Sequence, residues 1–396
     1  MNTSRRNFIK ASGMLLVTPA TAFAATANEK IRVGIIGTGG RGAWIGRLFQ
    51  EDGACEVVAL HDYFRDRVDH AGELLGVPPE RRFVGFDGYQ ELLASGVDAV
   101  AIESPPYFHP EQTMAAIDAG VHVFLAKPVA VDVWGCQQIL AASEKAGDRL
   151  SLLVDFQTRN DPFYREAIQR VRDGAIGTPQ FGQAWYQTQR LGITSERRDE
   201  IGRLRNWTFD IALSGDIIVE QNIHCLDVAN WLLDAHPVEA HGVSGRLVRT
   251  DIGDTEDHYV CAFKYPGERW IDFSSNQFAP GCEEIRARVH GEDGTVDTQY
   301  GGAVWLQSRA GRWQGGETTQ IYRQGAVNNI RDFLQGIHDG QPMNTAEDGV
   351  TSTLTCILGR MAAQQRKTVT WAEMMASGER LEANLDLPDD AIDSAR

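Results

Sequence analysis

The sequence predicts an α/β protein of two domains, an N-terminal doubly wound parallel sheet followed by a second domain on a mainly antiparallel sheet. Three observations carry this. The chain has 396 residues, more than one small core accommodates. From residue 30 to about 156, short β-branched runs alternate with helical patterns, the texture of a parallel sheet covered on both faces. Beyond Phe156 the runs lengthen and alternate residue by residue, which fits an antiparallel sheet with one covered face.

In order, strands are predicted at Ile31–Ile36, Glu56–Leu60, Asp98–Ile102, Val121–Leu125 and Leu150–Phe156. Helices fall between them at Ala43–Glu51, Arg65–Leu75, Tyr89–Ala94, Glu111–Ala119 and Val133–Ala146. A helix at Phe163–Asp173 ends in the turn-rich Gly174-Ala-Ile-Gly177-Thr-Pro179. The second set of strands is Phe181–Gln189, Ala240–Val248, His258–Tyr265, Arg269–Gln277 and Ile285–His290, interrupted by a strong helix at Ile217–Leu233. Helices Ala326–Gly336 and Ala346–Gln365 close the chain and are expected to pack back on the first domain. These boundaries divide the chain into a leader at 1–27, a first domain at 28–156, a second at 157–345 and a helical tail at 346–396. The segment between about Leu191 and Leu213 is long, polar and carries Trp207; loops of that length in a compact domain are often functional.

Ser4-Arg5-Arg6-Asn7-Phe8-Ile9-Lys10 precedes a short apolar run ending in Ala22-Phe23-Ala24, the pattern of a twin-arginine export signal. Periplasmic residence and the twin-arginine machinery as a partner are the expectation. No apolar run after the leader approaches the roughly 20 residues that span a bilayer. Net charge is −16, and removal of Arg5, Arg6 and Lys10 leaves the mature chain more acidic still. That balance argues against nucleic acid and anionic membrane surfaces as partners. The six cysteines contain no C-x-x-C pair, and most read as small buried side chains.

Directly after the leader, a strand runs into Gly37-Thr38-Gly39-Gly40-Arg41-Gly42, which matches G-x-G-x-x-G. Glycine is needed for the tight turn, for backbone approach to a pyrophosphate and for close helix–strand packing, and the phosphates then meet the N–H groups of a helix N-terminus. The second strand ends in His61-Asp62, about twenty residues on. Asp62 would accept from ribose hydroxyls and repel a 2′-phosphate. NAD is therefore favoured, while Arg65 and Arg67 leave NADP open. A nucleotide cofactor made in the cytoplasm and a leader for folded export support each other.

Lys127 ends the fifth strand just before Pro128. Strand C-terminal ends are where open α/β sheets bind ligands, and the proline holds the lysine at a sharp exit. In the apolar helix at Ile217–Leu233, Glu220, His224 and Asp227 fall at i, i+4 and i+7 on one face. Glu220 one turn before His224 is expected to orient the imidazole and raise its basicity. Asp227 reads equally as functional or as paired with an arginine elsewhere. No metal is implied.

Together the glycine turn, the strand-end Lys-Pro and the acid-x-x-x-His helix resemble the glucose–fructose oxidoreductase / inositol dehydrogenase / rhizopine-catabolism family. The resemblance runs from about Lys30 to the last helix and includes Asp98-Ala-Val-Ala-Ile-Glu-Ser104-Pro105-Pro106 and Ala175-Ile-Gly177. It implies a Rossmann domain, a second domain with a large, open, mainly antiparallel sheet, and hydride transfer between a sugar or cyclitol carbon and a nicotinamide. By position Lys127 is its catalytic lysine and His224 its acid/base or substrate-binding histidine, the two together expected to remove the hydroxyl proton as acid/base, and Glu220 stands where aspartate is common. The common Glu-Lys-Pro is here Ala126-Lys127-Pro128. Ser104, Pro105, His109, Lys127 and Gln157 join the glycine turn and Asp62 as cofactor-side candidates. Arg159, Trp207 and His258 are candidates for sugar contact, with a core tryptophan and a structural arginine as the alternatives. Because NAD is scarce outside the cytoplasm, a tightly held cofactor recycled by a second substrate is expected. The alternative function is a glycosidase working through transient NAD-dependent oxidation. A non-enzymatic nucleotide-binding scaffold leaves Lys127, Glu220 and His224 without a task. An exposed sheet face predicts a homo-oligomer, dimer or tetramer.

Overall fold

The computed structural model describes residues 30–388; the export leader expected at residues 1–27 lies outside them. The first sheet comprises β1 (Ile31–Ile36), β2 (Cys55–Asp62), β3 (Arg82–Val84), β4 (Ala99–Ile102), β5 (His122–Ala126) and β6 (Leu152–Asp155). All pairs are parallel, in the order β3-β2-β1-β4-β5-β6. Helices α1 (Gly40–Asp52), α2 (Arg65–Leu75), α3 (Gly88–Ala94), α4 (His109–Asp118) and α5 (Val133–Ala146) link the strands. Five of the six strands are those expected. The sixth, β3, is three half-buried residues, too short to carry a periodic signal. The order reverses between β1 and β4, so a crevice opens at the carboxyl ends of the strands. Gly37, Asp62, Glu103, Lys127 and Asp155 all stand at that edge.

The second domain begins with α6 (Pro162–Arg172), whose first turn is capped by the Asp161 carboxylate. Its sheet contains β7 (Pro179–Gln187), β8 (Glu239–Gly245), β9 (His258–Tyr265), β10 (Arg269–Asn276), β11 (Glu284–Gly291), β12 (Gly294–Gln299), β13 (Ala303–Ser308), β14 (Gly311–Glu317) and β15 (Val369–Thr370). The order is β14-β13-β12-β11-β7-β10-β9-β8-β15, antiparallel except for the central pair β7–β10. The sequence pattern ended at His290 and missed β12–β14. Glycines 294, 301, 302, 311, 315 and 316 dilute the strand signal there.

Between β7 and β8 run α7 (Glu200–Arg205), α8 (Ile211–Ser214), α9 (Ile217–Glu220) and α10 (Ile223–Leu233). The single helix expected at Ile217–Leu233 is therefore two. The Asn222 N–H closes back on the Ile217 carbonyl at 3.0 Å, and the chain restarts as α10. Ahead of α9, Asp216 is held at φ 79°, a backbone region unfavourable to side chains. Its carboxylate accepts from the N–H of Ile217 and Glu256 and from the Tyr259 hydroxyl, which fixes it there.

The closing helices α11 (Ile321–His338) and α12 (Ala346–Gln365) return to the first domain as expected, and α13 (Trp371–Ser377) follows β15. Ala326, Ile330 and Phe333 of α11 complete the core on one face of the first sheet with Phe49 and Phe124. Helix α12 packs against both α5 and β8, so one continuous core joins the domains and holds the crevice between them.

Candidate active site

The glycine turn is built to receive a phosphate. Gly37 has φ +87°, and a Cβ there would stand 2.4 Å from the Ser104 backbone nitrogen. A Cβ at Gly42 would collide with the Gly37 carbonyl oxygen. On the outer side a Cβ at Gly40 would meet nothing within 4 Å, so the turn faces open space. The Thr38 hydroxyl is buried and has no hydrogen-bond partner among the described residues. A tight turn with backbone N–H groups, free space and one orphaned hydroxyl fits a pyrophosphate. The turn opens onto a cleft walled by residues of both domains, among them Phe64 and Phe86 of the first and Leu204 and Trp207 of the second.

Of the cofactor-side candidates, Gly37, Gly39, Gly40, Arg41, Gly42 and Asp62 line this cleft, as do Ser104 and Pro105. Asp62 is pinned by the N–H of Thr38 at 2.9 Å and of Phe64 at 3.0 Å. Each of its oxygens keeps a lone pair for a ribose hydroxyl. The Ser104 hydroxyl donates to Gln112 at 2.6 Å.

Lys127 stands at the same strand edge but off the cleft wall, where it meets the second domain. Its ammonium donates to the Glu220 carbonyl oxygen at 2.6 Å and to the Glu220 carboxylate at 3.2 Å. Both side chains are largely buried. His224 lies within the electrostatic reach of Lys127. Burial, and then the charges of Lys127 and Arg41, hold its pKa well below the usual imidazole value. It is neutral at pH 7, and its Nδ1 has no partner among the described residues. The Tyr300 ring lies 5.3 Å from it. Tyr186, on the covered face of β7, stays a phenol because burial and then Glu220 raise its pKa.

Between cleft and lysine sits a charge cluster that the sequence reading did not anticipate. Arg41 pairs with Glu103 at 2.9 Å and with Asp155, and both carboxylates are fully buried. Asp155 also accepts from the Asn329 amide at 2.7 Å. Among the described residues Glu103 pairs with the arginine alone, at a distance but not an alignment suited to a hydrogen bond. Burial, opposed by Arg41 and reinforced by Asp155, pushes the Glu103 carboxyl up to about 7. The signal was present: like Lys127, Glu103 and Asp155 are ionisable residues closing apolar strands at the ligand-binding edge.

The model described as "Oxidoreductase family, NAD-binding Rossmann fold" matches residues 31–154, and "GFO/IDH/MocA C-terminal domain" matches residues 164–297. The inositol 2-dehydrogenase of Klebsiella pneumoniae (strain 342) is 35% identical over 284 residues, covering 71% of this chain and 77% of that protein. The chain belongs to the GFO/IDH/MocA oxidoreductase family. Among solved structures, aldose–aldose oxidoreductase from Caulobacter crescentus complexed with glycerol superposes with a TM-score of 0.71 at 24% identity, over 86% of this chain and 100% of that one. The scyllo-inositol dehydrogenase of Lactobacillus casei with bound NAD(H) and scyllo-inositol gives 0.70 at 20% identity, over 87% and 100%. These two likenesses bear on the fold. The first domain is an NAD-binding Rossmann domain and the protein an NAD-dependent oxidoreductase; the glycosidase alternative finds no support among its relatives.

In this member of the family several expected contacts are rearranged. Glu220 does not orient His224 or raise its basicity; the helix break aims the carboxylate at Lys127, and burial lowers the imidazole pKa. With alanine at 126, the lysine's carboxylate partner comes from the second domain. Asp227 is the arginine-paired alternative: Arg159 donates to both of its oxygens, and Ser352 donates to one. Arg159 also pairs with Asp348 and covers Trp231, so its guanidinium is committed to the fold rather than to a sugar. His258 alternates onto the open face of the sheet, bound to Asp257, while Tyr259 beside it faces the covered side. His109 is buried between the carbonyl oxygens of Pro128 and Ser104, both 2.8 Å away; it ties two strand ends together and is not on the cleft wall. Gln157 likewise lies off the cleft, accepting from the Tyr300 hydroxyl. Trp207 lines the cleft and packs on the cluster of Tyr63, Phe64 and Leu204, next to Asp62. All six cysteines are free, and only Cys282 is exposed.

Proposed function

We propose that the chain is an NAD-dependent dehydrogenase for a hydroxyl-bearing carbon of a cyclitol or sugar. The observation that carries this is the Lys127–Glu220 pair beside a neutral His224, at the strand edge that also holds the pyrophosphate turn. The cyclitol class is supported by the inositol 2-dehydrogenase relatives. Held by the glycine turn and Asp62, NAD would supply the hydride acceptor for the substrate carbon.

The protein's own groups handle the proton. The free Nδ1 of His224 accepts from the reacting hydroxyl, and Lys127 holds that hydroxyl in position with its third N–H bond. Glu220 offsets the lysine's charge, and the Tyr186 phenol remains a donor. Exchanging Lys127 for methionine removes the positioning ammonium but keeps the stem. Steady-state assays with a panel of inositols and aldoses should show kcat down by ~10²–10⁴-fold, with NAD affinity retained. Full activity in that variant, or no reduction of NAD by any polyol in the native protein, overturns the assignment.

The same reading includes export of the folded protein with cofactor aboard, supported by Arg5-Arg6 in the leader and by the dinucleotide turn that follows it. Asp62 favours NAD, and Arg67 beside Gly39 is the feature that leaves NADP open. The open face of the second sheet carries Phe181, Val243 and Val260 exposed, which supports face-to-face dimers or tetramers. Cell fractionation of an Arg5→Lys/Arg6→Lys variant and sedimentation of the mature protein test these two points.

A further inference from the structure

The segment between β7 and α9, notable in the sequence for its length, crosses from the second domain to the first. Arg205 donates to both oxygens of Asp66, at 2.8 and 3.0 Å, and its guanidinium lies 4.0 Å from the centre of the Phe64 ring. Leu204 is buried against Tyr63 and Phe64. The segment is stiffened from within: the Asn206 side chain accepts from the N–H of Thr194 and Ser195, and the Thr194 hydroxyl donates to the Arg205 carbonyl oxygen. Leu204, Arg205, Trp207 and Thr208 thereby become part of the cleft wall, along with Phe64, Phe86 and Phe108 of the first domain.

Arg41 and Glu103 of the cleft wall lie within electrostatic reach of His224 and Lys127, which stand off that wall and mark the reacting side. The other side, at Asp62 and Phe64, therefore takes the half of the dinucleotide that does not react. We propose that Trp207, held by the Arg205–Asp66 clamp, completes an aromatic slot for the adenine ring, so that both domains enclose the adenosine half of the cofactor. The slot is apolar and aromatic where a purine face needs stacking, and Asp62 beside it suits the ribose. With the clamp closed, the nucleotide leaves only when this segment lifts from Phe64. This supplies a physical basis for cofactor retention, and it rests on the NAD-dependent reading above.

The test uses the cofactor-stripped full chain, with ADP-ribose as the probe in calorimetry and NADH release followed by fluorescence. Trp207→Ala should weaken ADP-ribose binding about 10–100-fold, the scale of losing one base–aromatic stack, and Trp207→Phe should recover most of it. Arg205→Ala should speed NADH release while the protein's melting curve stays cooperative. Equal ADP-ribose affinity in native and Trp207→Ala protein overturns the slot. So does failure of Trp207→Phe to recover binding in a folded protein, and an unchanged release rate in Arg205→Ala overturns the clamp. A native protein that binds neither ADP-ribose nor NADH instead removes the NAD-dependent reading itself.

Discussion

Replacing Glu103 with glutamine should change how stability depends on pH. The Glu103 side chain is fully buried, and its carboxyl is pushed from 4.5 to about 7, chiefly by burial, against the pull of Arg41. One arginine stands between two buried carboxylates, and Asp155 holds the better share of it through the added Asn329 bond. Because the folded pKa lies above the unfolded one, the folded protein keeps a proton through that window which the unfolded chain has released. Stability therefore falls as pH rises from about 4.5 to about 7, and the loss is complete above that. At 1.36 kcal/mol per pH unit, the interval corresponds to on the order of 3 kcal/mol. Glutamine keeps the shape and removes the titration. Urea unfolding of the cofactor-stripped protein, at pH values from about 5 to about 8, should show the two proteins converging at the acid end. The variant should become the more stable by up to about 3 kcal/mol at the alkaline end. Asp216, raised to about 7 by burial, titrates in both proteins and cancels in the difference. Parallel curves for native protein and Glu103→Gln would refute the reasoning.

Other outcomes follow from the same geometry. Asp227→Ala leaves Arg159 with the exposed Asp348 alone, and should lower the unfolding free energy by ~3–5 kcal/mol while KM for the polyol stays unchanged well below the melting temperature. Gly37→Ala forces a Cβ to 2.4 Å from the Ser104 nitrogen at a positive φ, so equilibrium dialysis should find nucleotide binding abolished. Asp62→Ser removes the carboxylate that repels a 2′-phosphate next to Arg67, and should shift the ratio of NADP to NAD affinity upward in paired titrations. An unchanged ratio would mean that Asp62 does not face the ribose.

Much of the first domain was legible because its signals are local. β-branched runs of four to eight residues, glycine at fixed offsets and an acid closing the second strand each report geometry through their immediate neighbours. The second sheet was read as far as its alternation lasted, and the glycine-rich β12–β14 region escaped. Side-chain partnerships were less accessible. Glu220 and His224 stand four apart, which on one unbroken helix makes them neighbours. A single turn at Gln221-Asn222 gave the carboxylate to Lys127, 93 residues away. Arg159 and His258 looked like ligands for a sugar because their partners, Asp227 and Asp257, carry no sign in the sequence of where they point.

Local stretches of sequence were enough to specify the parallel nucleotide-binding sheet, the glycine turn, the acidic residue closing the second strand and the lysine at the end of the fifth. These depend on backbone conformation and strand periodicity, which short stretches of chain dictate. The fold in three dimensions was needed to show which carboxylate serves Lys127, that His224 is neutral, that Arg41 lies between Glu103 and Asp155, and that Trp207 reaches the wall of the nucleotide cleft. Those outcomes depend on which distant side chains share a low-dielectric space, because burial and pairing set the charge and direction of each group.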